Sequence, residues 1–155
     1  MTGTIDARLK QLGIELPPGS TPAANYVPFV VTGKLVFIAG QISQKDGKPE
    51  FLGKLGREFG VAEGQQAARL CALSILSHLK TAAGGDLDKV ARCVRLGGFV
   101  NATPEFTDQP AVINGASDLI VEIFGDKGKH SRAAVGVSSL PRGVAVEIDA
   151  IFELA

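Results

Sequence analysis

The sequence predicts a single α+β domain, one sheet with two helices packed on the same side. Three observations predict it. The chain has 155 residues, 45% of them hydrophobic, the size of one ordinary domain that can bury a core without metal or disulfide support. Apolar residues recur every three or four positions in two long segments and every second position towards the end. The segments follow one another as hairpin, helix, strand, helix and hairpin, with lengths suited to one sheet and one helical layer.

Ile5, Leu9 and Leu12 lie at helical spacing, and Leu16-Pro17-Pro18-Gly19 stops any helix, so a short appended helix opens the chain. From Phe29 to Ala39 two apolar runs flank Gly33-Lys34, a turn pair that tolerates positive φ, and predict a β-hairpin. Ser43 to Gly60 is polar and glycine-rich, hence loop. Ala68, Ala72, Ile75, Leu76 and Leu79 mark the apolar face of a helix over 61–83, with Gln66, Arg69, Ser77 and Lys80 elsewhere and Gly84-Gly85 as its stop. Lys89 to Asn101 reads as a strand in which Gly97-Gly98 marks a bulge or a close backbone approach. A second helix starts near Asp108 and Pro110, buries Val112, Ala116, Leu119, Ile120 and Ile123, and ends at Gly125.

In the last segment Ala133, Val135 and Val137 alternate with Arg132, Ala134 and Gly136. Leu140-Pro141-Arg142-Gly143 turns the chain, and Val144, Val146, Ile148, Ala150 and Phe152 then alternate with Glu147 and Asp149. This predicts a terminal hairpin. Matching its two apolar sets places Arg132 on one face with Glu147 and Asp149. That face, polar and lined with small residues, is expected to meet another subunit.

Sixteen basic side chains balance sixteen acidic ones, so no net field draws the protein to phosphate backbones or membranes. One Tyr and no Trp leave few stacking platforms for RNA. Cys71 and Cys93 belong to no CxxC, and His78 and His130 show no metal-ligand spacing, so buried reduced thiols and no metal or cofactor are expected. No basic-then-apolar leader and no apolar run of roughly twenty residues is present, which predicts a cytoplasmic protein.

Two stretches resemble the Rid family, also called YjgF or L-PSP. One is Tyr26-Val-Pro-Phe-Val-Val-Thr-Gly-Lys-Leu-Val-Phe-Ile-Ala-Gly-Gln-Ile42. The other runs from Ser131-Arg-Ala-Ala-Val-Gly-Val through the Leu140-Pro141 turn to Val146-Glu-Ile-Asp-Ala150. The resemblance covers about residues 24–155 and leaves 1–23 as an N-terminal extension, as in a longer branch of the family. It implies a fold like bacillus-type chorismate mutase, with a mixed sheet and a homotrimer whose active sites lie between subunits.

By position the resemblance implies Arg132 as ligand of a substrate carboxylate, Glu147 as the group that positions or polarises water, and Tyr26 and Gly40 as pocket wall. Asn114 joins them if one residue is inserted before Arg132. Ala39 and Ala134 stand where the family's imine and enamine deaminases often have Ser and Cys, which bears on substrate range. The implied reaction is hydrolysis of 2-imino or enamino acids to 2-keto acid and ammonia. The alternatives are an endoribonuclease or translation inhibitor, and a non-catalytic carboxylate binder. For Arg132 the structural alternative is a plain ion pair with Glu147 or Asp149 on the sheet. For Tyr26 it is an interface aromatic, for Gly40 a turn or bulge, and for Asn114 a solvent-facing helix residue.

Overall fold

The computed structural model of the chain describes residues 3–19 and 25–155. Strands β1 (Phe29–Thr32) and β2 (Leu35–Ile42) pair with Thr32 opposite Leu35. Gly33, at φ 59°, gives the turn its left-handed backbone, as the sequence predicts. Between 43 and 60 the expected loop carries more order than its composition suggests. Strand β3 (Gln44–Lys45) pairs with β4 (Lys48–Pro49), and single bridges tie Leu52 to Val144 and Leu55 to Ala102. Wholly buried Leu55 pins this segment to the core.

Two helices cover one face of the sheet. The first long one, spanning Val61–Ala82, buries Ala68, Ala72, Ile75, Leu76 and Leu79 completely. Gly84 and Gly85 follow it at φ 70° and 92°. Ser77, assigned from its sequence position to the polar side, is also buried. Its hydroxyl donates to the Pro17 carbonyl at 2.6 Å, because the segment after the N-terminal helix runs along this side. The N-terminal helix itself, α1 (Thr4–Gln11), is followed in our numbering by α2 (Val61–Ala82) and α3 (Gln109–Phe124). Its first amides, Thr4 and Ile5, donate to the Asp88 carboxylate at 2.7 and 2.8 Å, a cap supplied from far along the chain. Leu9 is buried, and Arg8 donates to the Glu122 carbonyl of α3.

The sheet is completed by β5 (Val90–Asn101), β6 (Ser131–Val137) and β7 (Val146–Leu154), in the order β1-β2-β7-β5-β6. Central β7 runs antiparallel to both β2 and β5. Gly97 and Gly98 are close approaches rather than a bulge, one on each face. A Cβ on Gly98 would fall 2.6 Å from Ile113 of α3, while Gly97 makes room for Asp149 on the open side.

The terminal hairpin is not formed. β6 pairs with β5 in parallel at the sheet edge, and β5 separates it from β7. Alternation fixes which residues of one strand share a face, but it names no partner strand. On β7 the apolar set does face the helices, and Val146, Ile148, Ala150 and Phe152 are buried. On β6 the relation reverses: Leu96 of β5 aligns with both Arg132 and Ala150, so Arg132 and Ala134 lie under α3 and Val135 looks outward, 47% exposed. The open face is also more apolar than expected, with Phe37 and its row partner Val30 at 41% and 52% exposure.

Cys71 and Cys93 are buried and free, as the sequence predicts. Burial pushes both thiols up, that of Cys93 to about 12, so neither is a nucleophile at neutral pH.

Candidate active site

Arg132 leaves the edge strand on its helix side and meets a single stripe of α3. Its Nη1 donates to Asn114 Oδ1 at 2.7 Å and to Ser117 Oγ at 3.1 Å, and its Nη2 donates to the Pro110 carbonyl at 3.3 Å. Positions 110, 114 and 117 recur at helical spacing, so one face of α3 supplies all three acceptors. All three are neutral. The ion pairs among the described residues join Arg57 to Glu58, Lys80 to Asp6, Arg95 to Asp149 and Lys129 to Asp126, and Arg132 is in none of them. The guanidinium is thus oriented but not neutralised. Asn114 turns towards Arg132 and is half-buried, not solvent-facing.

Ser117, which the sequence pattern does not single out, and His130, noted there only for its lack of metal-ligand spacing, extend this cluster. His130 Nδ1 lies 2.6 Å from the Gly128 carbonyl and Nε2 lies 2.8 Å from Ser117 Oγ. A carbonyl only accepts, so the neutral ring carries its proton on Nδ1. Nε2 then accepts from the Ser117 hydroxyl, whose oxygen in turn accepts from Arg132. The available signal was Ser117 one helical turn beyond Asn114.

Glu147 stands on the other face. It lies on β7 beside Gly40, where the β2 ladder shifts register between Ile38 and Gln41, and the missing side chain of Gly40 leaves the space its carboxylate occupies. Burial, and then the negative charge of Asp149, hold its carboxyl above the ordinary carboxylate value. Asp149 pairs with Arg95 at 3.7 Å. No hydrogen-bond donor among the described residues reaches Glu147. Tyr26 is 56% exposed and stands two residues before Pro28, whose carbonyl accepts from Ala39 next to Gly40.

The expectation that Arg132 and Glu147 share a face is therefore corrected. So is the ion pair offered as the structural alternative. Arg132 is level with Ala150, three residues along β7 from Glu147 and two strands away. Strand spacing and rise put their Cα atoms roughly 14 Å apart, with the side chains pointing to opposite sides. Within one chain the five candidate residues form two groups: Arg132 with Asn114, and Glu147 with Gly40 and the approach of Tyr26.

Two surface pockets, of about 610 and 460 Å³, are lined by none of these five residues. Among the described residues no group of three or more His, Cys, Asp or Glu side chains is placed to hold a metal ion, and no helix is long and apolar enough to cross a membrane.

A family profile described as "YjgF/chorismate_mutase-like, putative endoribonuclease" matches residues 6–148. The chain belongs to the YjgF family. The matched region begins inside α1. Protein TCP17 of Trypanosoma cruzi is 49% identical over 154 residues, covering 99% of this chain and 96% of that protein. The crystal structure of Atu1372 from Agrobacterium tumefaciens, a protein of unknown function, is 49% identical with a TM-score of 0.91 and covers 97% of this chain and 92% of its own. The E. coli protein TdcF, solved with bound serine, shares the fold at 24% identity and a TM-score of 0.61, over 89% of this chain and 93% of its own. YjgF membership and the mixed α+β sheet thus agree with the resemblance read in the sequence.

Proposed function

We propose that this YjgF-family chain is a cytoplasmic, metal-independent hydrolase of short 2-imino or enamino acids, acting as a homotrimer with Arg132 and Asn114 from one copy facing Glu147, Gly40 and Tyr26 of the next. One observation carries the reading: a half-buried guanidinium is fixed by three neutral acceptors and lacks a counter-charge among the described residues. Such a group favours a planar anion, and a carboxylate fits it through paired N–H donors. The bound serine of TdcF is an amino-acid carboxylate in the same fold, which supports the same substrate class.

A 2-imino acid carries its electrophilic C=N carbon beside the carboxylate, so anchoring the carboxylate presents that carbon in a set orientation. Water adds to the carbon and gives up a proton as the C–O bond forms. From the protonated imine this gives a carbinolamine, which takes a proton on nitrogen and breaks its C–N bond. Its hydroxyl proton leaves with the ammonia as ammonium while the C=O of the 2-keto acid forms. Glu147, its carboxyl held up by burial and by Asp149, suits both proton transfers: it takes the proton from water and returns it to the departing nitrogen. Because the two groups lie on opposite sides of one sheet, a shared substrate needs a second copy, and the exposed apolar residues of the open face, Phe37, Val30 and Val135, suit burial against that copy.

The test is to generate an imine in place with an amino-acid oxidase and trap what remains with semicarbazide. Acceleration by wild type and not by Arg132→Ala supports the reading. Equal acceleration by both ends it, and keto-acid binding without turnover leaves a carboxylate-binding protein instead. The endoribonuclease reading rests on the descriptions given to the family and to solved relatives such as the 34% identical Shewanella oneidensis protein; zero net charge and a single tyrosine weigh against it.

A further inference from the structure

The pocket of about 460 Å³ lies at the far ends of β5 and β6, where Lys54, Ala102, Phe106, Gln109 and Val137 line it. Its volume suits a small molecule. Its walls combine apolar surface from Ala102, Phe106 and Val137 with one uncompensated cation. Lys54 Nζ donates to Asn101 Oδ1 at 2.6 Å and to the Ser138 carbonyl, both neutral, and no carboxylate among the described residues pairs with it. Asn101 is 4% exposed, and its amide nitrogen donates to the Val144 and Gly53 carbonyls at 3.1 and 3.3 Å, which turns its oxygen towards Lys54. A buried residue thus holds the ammonium at the pocket wall, with one of its three N–H groups left over.

Arg57, the other cation of the wall, is already matched by Glu58 at 2.6 Å. With Arg57 offset by Glu58 from outside the lining, Lys54 is the lining cation without an ion-pair partner among the described residues. A lysine that only tied strand ends together would need neither the cavity nor the apolar wall.

We propose that this pocket is a second small-molecule site, selective for a carboxylate with a short apolar tail, the carboxylate on Lys54 and the tail against Phe106 and Val137. It does not depend on the imine hydrolase reading. Gly136, which also lines it, stands four residues along β6 from Arg132, roughly 13 Å. Arg132 points its donors at α3 instead.

Amide spectra of the intact protein, titrated with pentanoate and separately with neutral pentanamide, test it. Pentanoate is expected to move the amides of Thr103, Gln109, Gly136 and Ser138 saturably, with pentanamide at least fivefold weaker. Lys54→Gln should weaken pentanoate by at least fivefold, while Lys54→Arg and Arg132→Gln retain it. The contrast between the two ligands on wild type needs no variant, so it stands even if Lys54→Gln fails to fold. Equal response to both ligands, absence of saturation, or loss of pentanoate binding in Arg132→Gln would each overturn a separate carboxylate site.

Discussion

Arg132 and Glu147 are half-buried charged residues of one sheet, yet they are incomplete in opposite ways. Arg132 is oriented by three of its five N–H groups, on Asn114, Ser117 and the Pro110 carbonyl, and meets no negative charge among the described residues. Glu147 has a negative charge beside it in Asp149 and meets no hydrogen-bond donor among the described residues. The first arrangement receives an anion; the second receives a proton. Each group supplies what the other lacks, and the sheet keeps them apart, which is why the proposed site draws its two halves from two copies.

The largest expected effect falls on the anion side. Arg132→Ala should lower kcat/KM for imine hydrolysis by about 10² to 10³, the loss of a bidentate charge-assisted contact, as read by semicarbazide trapping. A loss below about threefold would break the comparison. Next comes the proton side: Glu147→Gln should lower kcat by roughly 10² while leaving the dissociation constant of 2-oxobutyrate within about twofold, because it keeps shape and removes the base. Calorimetry on both variants separates binding from turnover.

The supporting groups should matter less. Ser117→Ala removes one Arg132 acceptor and should raise KM by about five- to tenfold with kcat nearly unchanged. His130→Gln, which can still accept from Ser117, should stay nearer wild type than His130→Leu. If the two histidine variants behave alike, the relay through Ser117 carries no orientation.

The smallest effect is on stability. Because the folded-state pKa of Glu147 is raised, its contribution to stability is fully present below the unfolded value and is lost as pH rises through the folded one. Glu147→Gln stays neutral throughout, so its melting temperature at pH 7 should exceed that of wild type by about 2 °C, with the gap closing towards pH 4. A gap that widens on acidification would mean that burial does not penalise this carboxylate.

The two long helices were legible in the sequence because their apolar stripes run for about three turns, as with Ala68 to Leu79. The first hairpin was legible because Gly33-Lys34 fixes its own register locally. The pairing of β6 was not. Its partner β5 lies thirty residues upstream across α3, and on a strand at the sheet edge small residues such as Ala133 and Ala134 do not tell inside from outside. That one strand decided the face of Arg132, so the candidate residues were named in an arrangement the fold does not have. Ser117 and His130 stayed hidden because a hydroxyl and an imidazole at ordinary spacing carry no signal until a fold brings them to a guanidinium.

Mixing two crippled copies tests the division between the half-sites most directly. Arg132→Ala and Glu147→Gln, each nearly inactive alone, would be unfolded together in equal amounts and refolded. In a closed ring with sites between neighbours, roughly one interface in four then pairs an intact arginine with an intact glutamate. The account predicts recovery to about a quarter of wild-type turnover. A mixture that exchanges subunits yet stays as inactive as its parents would place both groups of a working site in one chain and contradict it.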